Sequence, residues 1–329
     1  MEDEGKGYRM ENLKKPGNKD NKKSVMTVVR WLGTGFAVGI MIYILSKVGW
    51  QEALDSFKGI PWWVFVIALI LGLISRFSTW GRWHTLLAAS EEKIDAKTSL
   101  KLTFAGLFAS NVLPSTIGGD VVRLAGGVRA GLSVALSTAS LVVDRLVGLS
   151  GMVLALPFAL KFLPMLQSKP TEGAFGFAAG TGFFGKIWNW IKKTFANILD
   201  SLKYWLKQPM SLVKSVGFTL IHQACIYLII KLFINAMGED LPILTIAGLW
   251  SLTYFITLLP ISINGLGLQE VTVTNLFSAL GGISIQTSLA LAIFLRILWM
   301  VVSLPGAFFI GDTIAGKQDN MNLENENEN

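Results

Sequence analysis

The chain has 329 residues, of which 52% are hydrophobic and only 16% are charged, and its formal net charge is +7. Soluble domains contain about 25% charged residues, so this composition excludes an ordinary soluble protein. The basic residues lie beside apolar segments, as in membrane proteins, so the positive charge does not indicate nucleic-acid binding. Cys225 is the single cysteine, which excludes an internal disulfide, and the two histidines are too far apart to suggest a zinc site.

The first predicted elements are a polar, basic tail over residues 1–24 and a membrane-spanning helix over about 25–48. A second helix starts at Pro61, a favourable residue for a first helical turn, and continues to about Ala89. It contains two arginines and two tryptophans, and we predict that the tryptophans anchor the helix at the membrane interface: Arg76, Arg82, Trp80 and Trp83.

A charged connector over 91–101 leads to a helix that we expect to be broken. Its first piece covers about 102–112, and its second piece covers about 120–129. Pro114 and the adjacent Gly118-Gly119 pair lie between the pieces, where they interrupt the helical hydrogen bonding. A long helix over about 132–160 follows.

Residues 161–209 begin with a stretch rich in glycine and phenylalanine, and lysines then alternate with large apolar residues at helical spacing. This pattern predicts an amphipathic helix in the membrane interface over about 186–208, although a helix packed on a soluble domain would look similar. The remaining predictions are a helix over about 210–236, a broken segment over about 242–281, a helix over about 285–311 and a disordered tail over 316–329.

The two predicted breaks resemble each other, since LPSTIGGDVVR begins at Leu113 and LPISINGLGLQE begins at Leu259. Asp120 is followed 25 residues later by Arg145, and Glu270 is followed 26 residues later by Arg296. The pattern Ser-x-Ala-x5-Arg ends at both arginines. We therefore predict two repeats, one over about 98–160 and one over about 242–311, each containing a discontinuous or re-entrant helix.

Charged residues in these apolar segments are costly, since a centred Asp or Arg opposes membrane insertion by about 3 kcal/mol. They must pair with each other or line a wet cavity. Asp144 and Arg145 are neighbours on one helix and point about 100° apart, so each needs a separate partner. Alternatives remain open: a structural ion pair between helices for Asp144 and Arg145, a membrane-surface position for Arg123, and helix capping for Asn111 and Asn264.

Free N–H groups at a broken helix end, together with arginines, suit a phosphate group. The predicted substrate-binding residues are Asn111, Gly118, Gly119, Asp120, Arg123, Asp144, Arg145, Asn264, Gly265, Gln269, Glu270 and Arg296. The sequence contains no phosphate-binding loop and no dinucleotide-binding glycine pattern, so we predict no cofactor, no metal and no catalytic residue.

The runs from Asn111 to Arg123, from Ser137 to Gly148 and from Leu259 to Glu270 resemble the lysylphosphatidylglycerol synthase transmembrane-region family, also called flippase-like domain proteins. The resemblance covers about 25–315 and implies a single membrane domain. In the best-known members this membrane region is fused to a soluble aminoacyl-transferase domain and is thought to move the aminoacylated phospholipid between leaflets. The resemblance therefore implies a role in moving a lipid. We find no such soluble domain here, so the resemblance does not imply lipid aminoacylation.

The sequence thus predicts an all-α, polytopic helical membrane protein that moves a phospholipid, glycolipid or polyprenyl-phosphate-linked lipid between leaflets and is not an enzyme. The alternatives are an accessory subunit of a lipid or glycan synthesis enzyme that itself transports nothing, and an ion-coupled transporter of a small anion. We expect a multi-pass protein of the cell membrane with a cytoplasmic N-terminus. Its expected partners are membrane lipids with anionic or phosphate-bearing headgroups. An accessory subunit would also bind a lipid or glycan synthesis enzyme. The chain could also form a homo-oligomer.

Overall fold

The computed structural model describes residue 57 and residues 59–113, 118–160, 205–258 and 265–315. Within these ranges the chain is almost entirely helical and has no strand, which confirms the all-α prediction. Several predicted features lie outside the described residues: the helix at 25–48, the interfacial helix at 186–208 except for its last four residues, both tails, and the breaks at 114–117 and 259–264.

The helices of the described part are α1 Trp62–Ala88, α2 Ala96–Val112, α3 Gly118–Arg129, α4 Val134–Ala155, α5 Pro157–Leu160, α6 Pro209–Ala236, α7 Ile243–Thr257, α8 Leu268–Ala279, α9 Ile285–Ser303 and α10 Ala307–Ala315. A 3₁₀ turn joins α9 to α10. Among the described residues, four stretches are long and apolar enough to cross a membrane: α1, α6, α4 continued to Ala159, and α9 continued to Gly311. The chain is therefore a membrane-embedded helical protein.

Helix α2 begins at Ala96 and not near residue 102, so part of the predicted connector is helical. The helix starts early because Asp95 caps its N-terminus, although the many charged residues of this segment suggested a loop. The carboxylate of Asp95 accepts a hydrogen bond from the backbone N–H of Thr98 at 2.9 Å. Hydrogen bonds from Thr98 hold the pKa of Asp95 below its usual value, so the cap is charged at neutral pH.

Helices α4 and α9 begin in the same way, each at a serine that caps the helix and is held by a distant glutamate. The N–H of Ser133 donates to Glu92, and the N–H of Ser284 donates to Glu239 at 2.9 Å. Burial works to raise the pKa of Glu239, but hydrogen bonds from Ser284 and Thr287 outweigh it and leave the pKa below its usual value. A charged Glu239 also suits the positive end of the α9 dipole.

Helices α1 and α6 pack side by side in opposite directions. Phe57, just before α1, lies against Phe233 near the end of α6, with ring centroids 5.9 Å apart. At the other end, the indole of Trp205 donates to the carbonyl of Leu86 at 3.0 Å. Because α1 and α6 are antiparallel, their C-terminal ends lie at opposite ends of the pair.

Each of these two helices has a parallel neighbour. Thr219 of α6 donates to the carbonyl of Val147 on α4, and Phe65 of α1 packs against Phe294 of α9 with ring centroids 5.8 Å apart. The antiparallel pair α1 and α6 therefore lies at the centre, with α4 beside α6 and α9 beside α1.

Small and polar residues bring the helices together. Gly81 of α1 leaves room for the ring of Phe218, where an added Cβ would lie 2.6 Å from the ring. Ser215 of α6 donates to the carbonyl of Arg82 at 3.2 Å. Inside a bilayer, lipid tails are as apolar as the core, so close packing and interhelical hydrogen bonds specify the contact more than hydrophobic burial does.

Candidate functional site

A cavity of ≈360 Å³ lies inside the helical bundle, between α1, α2, α3, α4, α6, α7 and the start of α8. The charged residues that line it are Arg76, Arg82, Arg123, Arg145, Asp120 and Asp144. Four arginines against two aspartates leave two positive charges in excess among the described lining residues. The cavity is therefore suited to an anion.

Asp144 is the most buried of these charges, with a side chain only 1% exposed. Its carboxylate accepts from Arg82 Nε at 2.7 Å and from both terminal nitrogens of Arg123 at 3.1 Å. Asp144 thus joins α4 to α1 and α3. Three charge-assisted hydrogen bonds on one carboxylate fix the orientation of both guanidinium groups.

Arg123 is buried inside the bundle, which argues against the alternative that its side chain extends to the membrane surface. Its guanidinium pairs with Asp144 and lies 4.1 Å from the ring centroid of Trp83. Trp83 is itself completely buried and donates to Ser140 at 3.2 Å, which corrects its predicted role as an interfacial anchor. Asp144 holds Arg123 inside the bundle, and Ser140 and the Arg123 guanidinium hold Trp83 there.

Arg145 pairs with Asp120, so the neighbours Asp144 and Arg145 have separate partners as their adjacency requires. Arg145 Nη2 lies 2.6 Å from Asp120 Oδ2. The Arg145 side chain is 43% exposed and lines the cavity, so this pair is open to a ligand in a way that Asp144 is not. Arg123 also approaches Asp120, at 3.4 Å.

The second acid and arginine also pair, between α8 and α9. Arg296 Nε donates to Glu270 Oε1, and Arg296 Nη2 donates to the carbonyl of Gly265 at 3.2 Å. Neither Glu270 nor Arg296 lines the cavity. The pair therefore ties the start of α8 to α9.

Arg76 lines the cavity without a carboxylate partner among the described residues. Its guanidinium lies 4.7 Å from the ring centroid of Trp299 and donates to the carbonyl of that residue over a long 3.4 Å. The buried Nε atom has no hydrogen-bond partner in the described structure. Arg76 is thus the source of much of the uncompensated positive charge.

Uncharged polar residues of α6 and α7 line the cavity as well. His222 lines the cavity, and its Nδ1 lies 2.7 Å from Ser75 Oγ of α1. Gln223 and Trp250 are only 4% and 6% exposed. Tyr254 completes this part of the wall.

The structure brings together more than half of the predicted substrate-binding residues. Those that line the cavity are Gly119, Asp120, Arg123, Asp144, Arg145, Gly265 and Gln269. Asn111, Gly118, Glu270 and Arg296 lie outside the lining, and Asn264 lies outside the described residues. Gly119 is required by packing, because an added Cβ would lie 2.3 Å from the carbonyl of Gly106.

Among the lining residues that the sequence analysis did not assign to the site are two arginines, a glutamine and a tryptophan: Arg76, Arg82, Gln223 and Trp250. Arg76 and Arg82 carried a usable signal, since an arginine in an apolar helix is costly and needs a partner. Gln223 and Trp250 carried none, because such residues are common in membrane helices. In the part of the chain that the structure describes, no group of three His, Cys, Asp or Glu residues could hold a metal ion.

A family model described as "Lysylphosphatidylglycerol synthase TM region" matches residues 30–306. The matched range contains every residue of the cavity wall. The description names a membrane region and no catalytic domain. No curated protein matches the chain.

Proposed function

The chain belongs to the lysylphosphatidylglycerol synthase transmembrane-region family, as the motif resemblance predicted, and on that premise we propose that it moves a lipid between the two leaflets of the cell membrane. The proposed substrate is a phospholipid, glycolipid or polyprenyl-phosphate-linked lipid with an anionic, phosphate-bearing headgroup. The headgroup enters the cavity while the acyl or prenyl tails stay in the surrounding lipid.

The observation that carries this proposal is the excess of two positive charges among the described residues that line a cavity between apolar helices. Uncompensated charges in such a place are costly, and an anionic ligand offsets that cost. Arginines bind phosphate bidentately, with more than one donor per group. We propose that Arg76 and Arg145 contact the phosphate, since Arg82 and Arg123 already share the buried carboxylate of Asp144.

We further propose that the helices form two repeats of opposite orientation. Helices α1 and α6 begin at residues 62 and 209, and helices α2 and α7 begin at residues 96 and 243, so both pairs are 147 residues apart. Ser75 and His222, which are also 147 residues apart, touch each other, as equivalent residues near a two-fold axis do. The antiparallel arrangement of α1 and α6 supports inversion.

Transporters built from inverted repeats hold substrate near the bilayer midplane at the repeat interface, often between discontinuous helices. Here the proposed interface passes through the cavity, since Arg76 and Gln223 are 147 residues apart and both line it. We propose that Asp120–Arg145 and Glu270–Arg296 are equivalent pairs that hold the second piece of each broken helix. The Asp120–Arg145 pair faces the cavity, and the other pair fixes the opposite repeat.

Arg76→Gln tests the proposal, because it removes an uncompensated charge without breaking an ion pair among the described residues. The purified protein is placed in liposomes, and transbilayer movement is measured for zwitterionic, anionic, aminoacylated and polyprenyl-phosphate lipids. We expect the wild-type protein to move an anionic class and Arg76→Gln to slow it at least about tenfold. Arg129→Gln is the matched control, since Arg129 is exposed and lies outside the cavity.

Full activity in Arg76→Gln would contradict this assignment of the cavity. No movement of any lipid by the wild-type protein, with and without an ion gradient, would contradict lipid transport itself. A stoichiometric synthesis enzyme recovered with the protein would then favour the accessory-subunit alternative.

A further inference from the structure

The charges in the cavity come from one part of the bundle only. All four lining arginines belong to α1, α3 and α4, whereas the residues that α6 and α7 present to the cavity are uncharged within the described ranges. A bound headgroup therefore meets a cationic side and a neutral polar side. The neutral side determines which group is accepted beyond the phosphate.

Two buried polar atoms of the neutral side have no hydrogen-bond partner among the described residues: Gln223 Oε1 and Trp250 Nε1. Both side chains are more than nine-tenths buried, and both line the cavity. Buried polar atoms in native structures are nearly always paired, because leaving one unpaired costs about 1–3 kcal/mol. One atom is an acceptor and the other is a donor.

Two threonines of α7 add further acceptors. Thr253 donates its hydroxyl to the carbonyl of Leu249 at 2.9 Å, and Thr257 donates to the carbonyl of Tyr254 at 2.8 Å. Since each hydroxyl uses its proton within its own helix, its oxygen lone pairs remain available to accept. This wall therefore offers the Trp250 indole as a donor and several oxygen atoms as acceptors around one cavity.

Hydroxyl groups are the ligands that use such a wall fully, because each hydroxyl both donates and accepts. An ammonium group has no lone pair for the Trp250 indole, and the positive charges of the cavity repel it. We propose that Gln223 and Trp250, with Thr253 and Thr257, form a subsite for the hydroxyl groups of a sugar or other polyol that is joined to the lipid through its phosphate. This inference rests on the proposed function, since it specifies the headgroup of the same substrate.

A matched pair of lipids tests the subsite. Phosphatidylglycerol and phosphatidylpropanol have the same charge and three headgroup carbons, and they differ by two hydroxyl groups. Native mass spectrometry of the detergent-solubilised protein, given equal amounts of both, reports the ratio in which they bind. We expect the wild-type protein to prefer phosphatidylglycerol about tenfold, since two or so added hydrogen bonds supply that factor.

Gln223→Met and Trp250→Phe should each bring the binding ratio close to one, because each removes the polar atom that faces the headgroup; Gln223→Met nearly conserves volume, whereas Trp250→Phe also loses a ring. Trp80→Phe is the control: the same substitution at an indole that bonds Ser99 outside the cavity should leave the ratio unchanged. A wild-type ratio near one, or an unchanged preference in both variants, would overturn the subsite. Failure of lipid transport alongside a retained binding preference would refute the proposed function alone.

Discussion

Asp144→Asn removes the carboxylate that joins α1, α3 and α4, and we expect it to destabilise the protein strongly. The side chain is 1% exposed and accepts from two guanidinium groups at 2.7 and 3.1 Å. Breaking a buried ion pair by removing one partner costs about 3–5 kcal/mol, because the remaining charge stays buried without compensation. We therefore expect the free energy of unfolding to fall by about 3–5 kcal/mol.

Asp120→Asn is the matched comparison, because it adds the same charge to the cavity at a more exposed site. The Asp120 side chain is 17% exposed, and that of its partner Arg145 is 43% exposed. Solvent screens such a pair, so we expect a loss of only about 1 kcal/mol. Because both variants remove one negative charge, the difference between their losses in free energy of unfolding measures the effect of burial.

Reversible unfolding in lipid–detergent micelles, titrated with denaturing detergent, measures both losses. A double-mutant cycle with Arg82→Gln should give a coupling energy of about 1–3 kcal/mol with Asp144→Asn. If Asp144→Asn cost no more than Asp120→Asn, the carboxylate would not hold the three helices together. The reasoning about buried charge in this bundle would then be wrong.

Two further predictions concern the helix ends. Glu239→Gln should cost about 1 kcal/mol at neutral pH, because a neutral amide caps α9 less well. Because the folded protein lowers the pKa of Glu239, this residue stabilises the fold fully above its unfolded pKa, and the stabilisation is lost as the pH falls through the folded pKa. The free energy of unfolding should therefore fall less steeply with acidification below about pH 4.5 in Glu239→Gln than in the wild-type protein. Gly306→Ala should lower the free energy of unfolding by about 1–3 kcal/mol, because the new Cβ would lie 2.0 Å from the carbonyl of Phe104. Gly217→Ala is the control: its Cβ would meet nothing within 4 Å, so thermal unfolding should show no loss of stability or a slight gain.

The sequence determined the class of protein and most helix positions, because apolar length is a local property. Helix α6 covers Pro209–Ala236, against a prediction of about 210–236. The sequence also established that charges in apolar segments must pair, since each is costly in lipid. The spacing of Asp120 and Arg145 matches the ion pair that they form, and so does the spacing of Glu270 and Arg296.

Only the tertiary structure decided which helix faces meet and what lies between them. Arg123 could equally have reached the membrane surface, and it is buried because Asp144 and Trp83 lie across from it on other helices. Arg76 and Gln223 are far apart in the chain and line one cavity because α1 and α6 pack antiparallel. Hydropathy reports how apolar a helix is, whereas its rotation against its neighbours depends on packing and on polar contacts between helices distant in sequence.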